Sequence, residues 1–552
     1  MKHKIYRKFV DVDGRLVHYW LSGKGKPIIL LHASPQDGSF VLEPFHELTR
    51  NFQLIAIDTA GFGLSEPLAI KNPKAIDFAN ATITTLQKLK INQYILYGTH
   101  TGAHIALEVA ISSSKVKYLI IDGISFYNSA EKKELLKKYA PKFTPHYSGG
   151  HLVKAWHHTR DQTLYYPWFN KTKRIKRKLP SSSYLHKVVI AKLRADIDYI
   201  KGYRAAFSHN TKVAFKKLKT KTLLYSRSDD VLEKHVNRIN KFNPNINIIN
   251  LNNRNELIES IKNKFSRIKI NNYYNKSIQP TSSRYIVVNG SQQLVRIFGE
   301  DKKNPIILLH GIGGNSLSNI SLQKFLSKNR KVISFDIPGN GFSDNIKYKT
   351  KISSYSKNLI LILNRLKLKK ISLIAFDASA SLAINTLNSY PSIFESLILI
   401  KPIILKKNQK KNFVNNFFPN LKPNNDGTQL NTAWNFLMDS KLFWPWFKGG
   451  QKNIRDLSPY RNLKKHHQDF IQLMTASESY HYYSKACFSF NQEDIRNKIY
   501  NRTLLLGNKK DLVDEYRKNI LKSFEKPEQI EMPITENKMA KYIEEFLKYN
   551  NN

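Results

Sequence analysis

Short, unbroken apolar runs recur along an otherwise polar chain. In the first half they include Ile28–Leu31, Leu54–Ile57 and Leu119–Ile121; in the second, Ile306–Leu309 and Leu397–Ile400. Runs this short, alternating with helix-spaced segments, predict strands buried on both faces and so a mostly parallel sheet covered by helices. Each half opens with a hairpin-like segment, "RKFVDVDGRLVHYW" or "SRYIVVNGSQQLVRIF". An apolar strand ending at His32 or His310 follows, then a strand ending at Asp58 or Asp336. A strand and sharp turn at 94–102 or 371–379 come next, followed by a helix and the strand "YLIIDGIS" or "SLILIKPII". A long polar and aromatic stretch, predicted as a helical lid, precedes "KTLLYSRSDD" or "RTLLLGNKKD".

The shared order reflects a repeat. "KPIILLHASP" at 26 returns as "NPIILLHGIG" at 304, "LIAIDTAGFGLSEP" at 54 as "VISFDIPGNGFSDN" at 332, and "AWHHTRDQTLYYPWF" at 155 as "AWNFLMDSKLFWPWF" at 433. Each is a shift of 278 residues. A period this long implies two complete domains, whereas solenoid units are far shorter. The expected division is a first domain over 1–268, a linker over 269–283 rich in Asn, Ser and Pro, and a diverged second domain over 284–552. The lids, or caps, are expected at about 126–218 and 405–500.

Composition narrows the functional classes. The 552 residues are 41% hydrophobic and 12% aromatic, enough for globular cores, and carry a formal charge of +47. Lysines scattered over nearly the whole chain, as AT-rich codon usage produces, account for that charge. The runs "KTKRIKRK" (171–178) and "KKNQKK" (406–411) carry no nucleic-acid-binding signature, so no specific nucleic-acid partner is expected. The single cysteine, Cys487, excludes an internal disulfide framework and fits a reducing compartment. No apolar run has membrane-spanning length and no secretory signal is visible, so a cytoplasmic protein without membrane insertion is expected. Neither a cofactor nor a metal site is implied.

Candidate chemistry lies in "YGTHTGAHIALEVA" (97–110), where Gly98 and Gly102 flank His100 as in the G-x-S-x-G turn that presents a catalytic serine. With "LLHASP" and "LLHGIGG" as oxyanion-loop motifs, "DTAGFGLS" and "DIPGNGFS" after the next strand, and Asp-bearing turns after the late strand, each half resembles a capped α/β-hydrolase domain. The resemblance implies a hydrolase of small organic substrates, acting on an ester or related bond. The segment "AW…D…L…WPWF" is similar to one in bacterial hydrolase-fold proteins whose elbow reads His-Thr-Gly.

Carried onto this chain, the resemblance puts His100 at the nucleophile position, Asp229 (with Asp230 adjacent) at the acid position, and Ala33 and Thr101 in the oxyanion hole. Substrate contacts are expected from His32, Trp156, His157, His158 and Tyr166. The second-domain equivalents are Asp377, Asp511 and Gly311. Aspartate nucleophiles occur in haloalkane dehalogenases and epoxide hydrolases, but they need a histidine to activate water. "NINIINLNNRN" and "EQIEMPITENKM", where that histidine belongs, contain none, so a complete triad is absent from both halves. Three roles for His100 stay open: a residue tolerant of positive φ that binds or stands by, a general base oriented by Asp229, or a covalent nucleophile. A non-catalytic ligand-binding or scaffolding protein is the alternative to the enzyme.

Overall fold

A computed structural model describes residues 3–175, 178–236, 238, 243–270, 280–345, 351–455, 462–495, 498–533 and 535–548. Residues 271–279 of the expected linker and 176–177 of the first basic run lie outside the described residues. The chain divides into two compact units, Met1–Thr144 with His151–Thr281, and Pro145–Gly150 with Ser282–Asn552.

The apolar runs become the strands of two eight-stranded sheets. The first comprises β1 (Tyr6–Val12), β2 (Arg15–Gly23), β3 (Lys26–Leu31), β4 (Phe52–Ile57), β5 (Tyr94–Thr99), β6 (Val116–Asp122), β7 (Thr222–Arg227) and β8 (Ile246–Leu251), ordered β1-β2-β4-β3-β5-β6-β7-β8. The second comprises β9 (Ser283–Val288), β10 (Ser291–Phe298), β11 (Ile306–Leu309), β12 (Val332–Phe335), β13 (Ile371–Phe376), β14 (Phe394–Ile400), β15 (Arg502–Gly507) and β16 (Glu528–Glu531). Its order is the same, position for position. In each, the opening hairpin pairs antiparallel and all later strands run parallel. These are two tandem α/β domains of one topology.

Both faces of the first sheet are apolar, as unbroken runs require. Ile29, Leu31, Ile55, Ile57 and Leu96 pack on one side with residues of the helices Ala75–Lys88 and Thr101–Ser112. Ile28, Leu30, Leu54, Ile95 and Tyr97 pack on the other with Leu257, Ile258, Ile261 and Phe265 of the helix Arg254–Phe265. Burying each such aliphatic side chain contributes about 1.5–3 kcal/mol.

The aspartates that close β4 and β12 organise the loops after them. Asp58 accepts from His18 Nδ1 (2.7 Å), Trp20 Nε1 (3.1 Å) and the N–H groups of Gly38 (2.7 Å) and Leu64 (3.0 Å). Asp336 accepts from the N–H groups of Ser316 (2.8 Å) and Phe342 (2.7 Å). Gly63 and Gly341 are required beside them: a Cβ there would meet the carboxylate at 1.9 and 2.2 Å. The "DxxGxGxS" pattern therefore serves loop geometry in both halves.

Between β6 and β7 the chain inserts the helices Ser129–Lys138, Gly150–Leu164, Ser182–Ala195, Ile197–Ser208 and Thr211–Lys217. Among the described residues no helix is long and apolar enough to cross a membrane.

Candidate functional site

β5 runs into the helix Thr101–Ser112 through a one-residue turn at His100, with φ 50° and ψ −114°. Such a turn brings strand and helix too close for side chains beside the apex. A Cβ on Gly98 would lie 2.4 Å from the Gly102 carbonyl oxygen, and one on Gly102 2.4 Å from that of Leu31. The His100 N–H is held by the Gly123 carbonyl at 3.0 Å. Its side chain, one-third exposed, stands in a cavity of about 770 Å³.

The carboxylate that reaches His100 is Asp230, not the expected Asp229: Nε2 and Oδ2 are 2.8 Å apart. The turn after β7 explains the difference. The Asp230 N–H donates to the Arg227 carbonyl and its Oδ1 accepts from the Leu232 N–H at 2.8 Å, which aims its other oxygen inward. Asp229 is nearly half exposed and lies 3.1 Å from Arg227 Nε, off line for a hydrogen bond.

Beneath this pair lies a buried network invisible in the motif. Arg227 Nη2 donates to Asp230 (3.3 Å) and Nη1 to Asp122 (3.2 Å), which also accepts from the Tyr97 hydroxyl at 2.6 Å. Burial raises the Asp122 pKa, against the pull of Arg227. For Asp230 burial acts upward, but His100 outweighs it and the pKa falls below the carboxylate range. For His100 burial acts downward, and Asp230 outweighs it, so its pKa is raised. Gly123, with φ +72°, makes room for the pair: a Cβ there would stand 3.1 Å from both His100 Nε2 and Asp230 Oδ1.

Of the other expected residues, Ala33, Thr101 and Tyr166 line the cavity. Thr101 is the first residue of its helix, where N–H groups have no intrahelical partner. His32, Trp156, His157 and His158 do not line it. His32 is buried and fastens the loop after β4, its Nε2 3.0 Å from the Thr59 N–H. Trp156 is buried core and His157 is exposed. His158 is buried against Trp168 and Phe143 and bonds Lys192. Where the histidine after the last strand would stand, Arg254 lines the cavity.

In the second domain Asp377 occupies the apex with φ 50°, but a 3₁₀ turn over Asp377–Ser379 precedes the helix. That opening accommodates Ser379, whose Oγ donates to the His310 carbonyl and accepts from Tyr483 (2.7 Å). A Cβ on Gly311 would lie 2.2 Å from Asp377 Oδ2, so the carboxylate itself fills the space before the oxyanion loop. Burial pushes the Asp377 pKa up to about 6. Asp511 is gripped by Arg455 at 3.0 and 2.7 Å, which holds its pKa down against the effect of burial.

Residues 304–532 match the family model described as alpha/beta hydrolase fold. An uncharacterized protein of Mycobacterium bovis is 24% identical over 125 residues, 23% of this chain and 36% of that protein. Haloalkane dehalogenase 2 of M. bovis is 27% identical over 122 residues, 22% of this chain and 42% of the enzyme. The (E)-2-((N-methylformamido)methylene)succinate hydrolase of Acinetobacter baylyi is 20% identical over 128 residues, 23% and 48% of the two chains. The chain thus spans less than half the length of these curated relatives. Among solved structures, a hydrolase from Pseudomonas aeruginosa PA01 aligns with TM-score 0.41 and 15% identity over 48% of this chain and 98% of that one.

Proposed function

Because the chain is a tandem pair of α/β-hydrolase-fold domains, we propose that its first domain hydrolyses small organic substrates at an ester or related bond, with His100 as general base. The observation that carries this reading is the 2.8 Å contact between His100 Nε2 and Asp230 inside the cavity. Asp230 occupies Nε2, so Nδ1 is the working nitrogen; among the described residues it has no hydrogen-bond partner. A neutral imidazole held this way takes a proton from water as the water attacks the bound carbonyl. The carbonyl oxygen, gaining charge, would be met by the N–H groups of Ala33 and Thr101. Aromatic and hydroxyl side chains of the segment inserted between β6 and β7, including Tyr166, Tyr184 and Tyr203, border the cavity and suit a small organic ligand.

A second reading, a ligand-binding protein without turnover, is favoured by the lack of any histidine in the first domain after β8, over residues 252–268. Ester, lactone and haloacid turnover by wild type and His100→Ala separates the two. The enzyme reading expects His100→Ala to lose about 10²-fold or more, the range for a general base. Equal turnover in both proteins overturns the base role given to His100, and tight binding without turnover supports the second.

A further inference from the structure

A second line of hydrogen bonds leads out of the same cavity, behind the elbow. Ser125, in the loop after β6, lines the cavity with its Oγ 2.9 Å from His104 Nε2. His104 Nδ1 lies 3.0 Å from His209 Nδ1, and His209 Nε2 lies 2.7 Å from Glu108 Oε1. His104 and Glu108 share one face of the helix Thr101–Ser112 at i, i+4 spacing and hold His209 between them.

The carboxylate sets the direction of the chain. Glu108 only accepts, so the His209 proton sits on Nε2. The Nδ1 lone pair of neutral His209 then accepts from His104 Nδ1–H, which leaves the lone pair of His104 Nε2 facing the Ser125 hydroxyl. These tautomers follow from the network. Burial, helped by His209, holds the His104 pKa well below the ordinary value, in keeping with the neutral base this order needs.

The internal repeat isolates the four residues as a unit. Aligned on the elbow, the following strand and "AAFS"/"ACFS", the second domain has Ile403 for Ser125, Ser381 for His104, Phe490 for His209 and Asn385 for Glu108. All four are lost together from three parts of the chain, while sheet order and elbow persist. The fold therefore does not require them.

We propose that Ser125 is a nucleophile of the first domain, with His104 as its base and His209 and Glu108 as positioning residues. The inference rests on the hydrolase reading of the cavity and splits its reaction in two. Ser125 Oγ bonds to the ester carbonyl carbon while its proton passes to His104 Nε2 and the carbonyl π pair moves onto oxygen. When that pair returns, the alkoxide leaves and takes the proton from His104, giving an acyl ester on Ser125. Water, losing its proton to His100 Nδ1, attacks the acyl carbon; Ser125 Oγ departs and recovers that proton, releasing the acid. Each histidine accepts one proton and returns one. The Tyr127 hydroxyl neighbours Tyr166 and Ser125 in the cavity, where one phenol donates to the other.

The test uses a fluorophosphonate probe on the full chain, with peptide mapping by mass spectrometry, and p-nitrophenyl acetate as acyl donor. Ser125 should carry the phosphonyl group in wild type and not in Ser125→Ala. Glu108→Gln should slow labelling at least tenfold and alter its pH profile, which a merely structural role would not do. His100→Ala should still give the nitrophenol burst and accumulate acetyl-Ser125. If folded protein is not labelled at Ser125 and Ser125→Ala keeps full turnover while His100→Ala loses it, the nucleophile assignment is overturned and the His100 reading stands. If Ser125 is labelled and His100→Ala turns over normally, the His100 reading falls and Ser125 stands.

Discussion

Lys192 is fully buried, and its Nζ donates to His158 Nδ1 at 2.7 Å; among the described residues no carboxylate is a hydrogen-bond partner of it. It also reaches Thr159 Oγ1 (2.6 Å) and Gln162 Oε1 (2.9 Å), so one amino group ties the helix Ser182–Ala195 to Gly150–Leu164. The second domain has the same pair with the partners exchanged. Lys441 lies on the earlier helix, Thr428–Leu442, and its Nζ stands 3.2 Å from His466 Nδ1 on Leu463–Thr475. The pair thus acts as a clip whose ends can trade places.

Replacing Lys192 tests the clip. Lys192→Met removes the donor and orphans buried acceptors, at a cost of about 2 kcal/mol. Hydrogen exchange in the full chain should show faster opening confined to the two helices. Burial lowers the Lys192 pKa far below the ordinary value of about 10.4, so the unfolded chain binds the proton more tightly. Wild-type stability should therefore rise with pH from the folded pKa up to the unfolded one, and Lys192→Met should abolish that rise.

The His100 pair makes a pH prediction of opposite kind. Asp230 raises the His100 pKa, so the neutral base appears only above about 6.5, and kcat should climb with pH through a value on the alkaline side of it. Asp230→Asn leaves burial as the main influence and should move that limb to lower pH while reducing the plateau. The same raised pKa stabilises the fold fully below the unfolded value, and this contribution is lost as pH rises through the folded one. A limb that stays in place in Asp230→Asn would refute the role given to Asp230.

Much of this was legible in the chain, and the misses have physical causes. Apolar runs and the 278-residue shift gave strands and domain number, because unbroken hydrophobicity has few alternatives to a doubly covered sheet. Gly98 and Gly102 located the elbow because backbone contact admits nothing larger. Asp229 and Asp230 cannot be ranked by composition; the Leu232 N–H that turns Asp230 inward is tertiary detail. His158 looked like a ligand-facing residue, yet it shares a buried helix face with Leu152, Ala155 and Thr159. His104 and Glu108 share one helix face, but His209, which completes their chain of hydrogen bonds, is distant in sequence.

Gly123 offers a steric test of the site. An alanine there must accept φ +72° and place its Cβ 3.1 Å from His100 and Asp230. Gly123→Ala should lower kcat about tenfold by spreading the pair and cost about 1–2 kcal/mol in stability. Gly14 is the control: its φ is +84°, but no atom lies within 4 Å of an added Cβ. Gly14→Ala should carry the backbone cost alone and leave kcat unchanged; parallel kinetics and urea unfolding would distinguish the two.

The two domains should differ most clearly at their apex residues. Asp377 fills its own oxyanion space, Ser379 is bonded to His310 and Tyr483, and Arg455 holds Asp511. No histidine follows β16 to release an aspartyl ester, so the second elbow has lost both room and base. Asp377→Asn should leave turnover within about twofold of wild type, whereas His100→Ala removes most of it. Stability gives an independent readout. Burial raises the Asp377 pKa to about 6, so the folded state holds the ionised form at a disadvantage above that pH. Asp377→Asn should therefore stabilise the second domain at pH 8 and have little effect at pH 4. A large loss of turnover in Asp377→Asn, or a covalent adduct trapped on Asp377, would move the chemistry to the second domain.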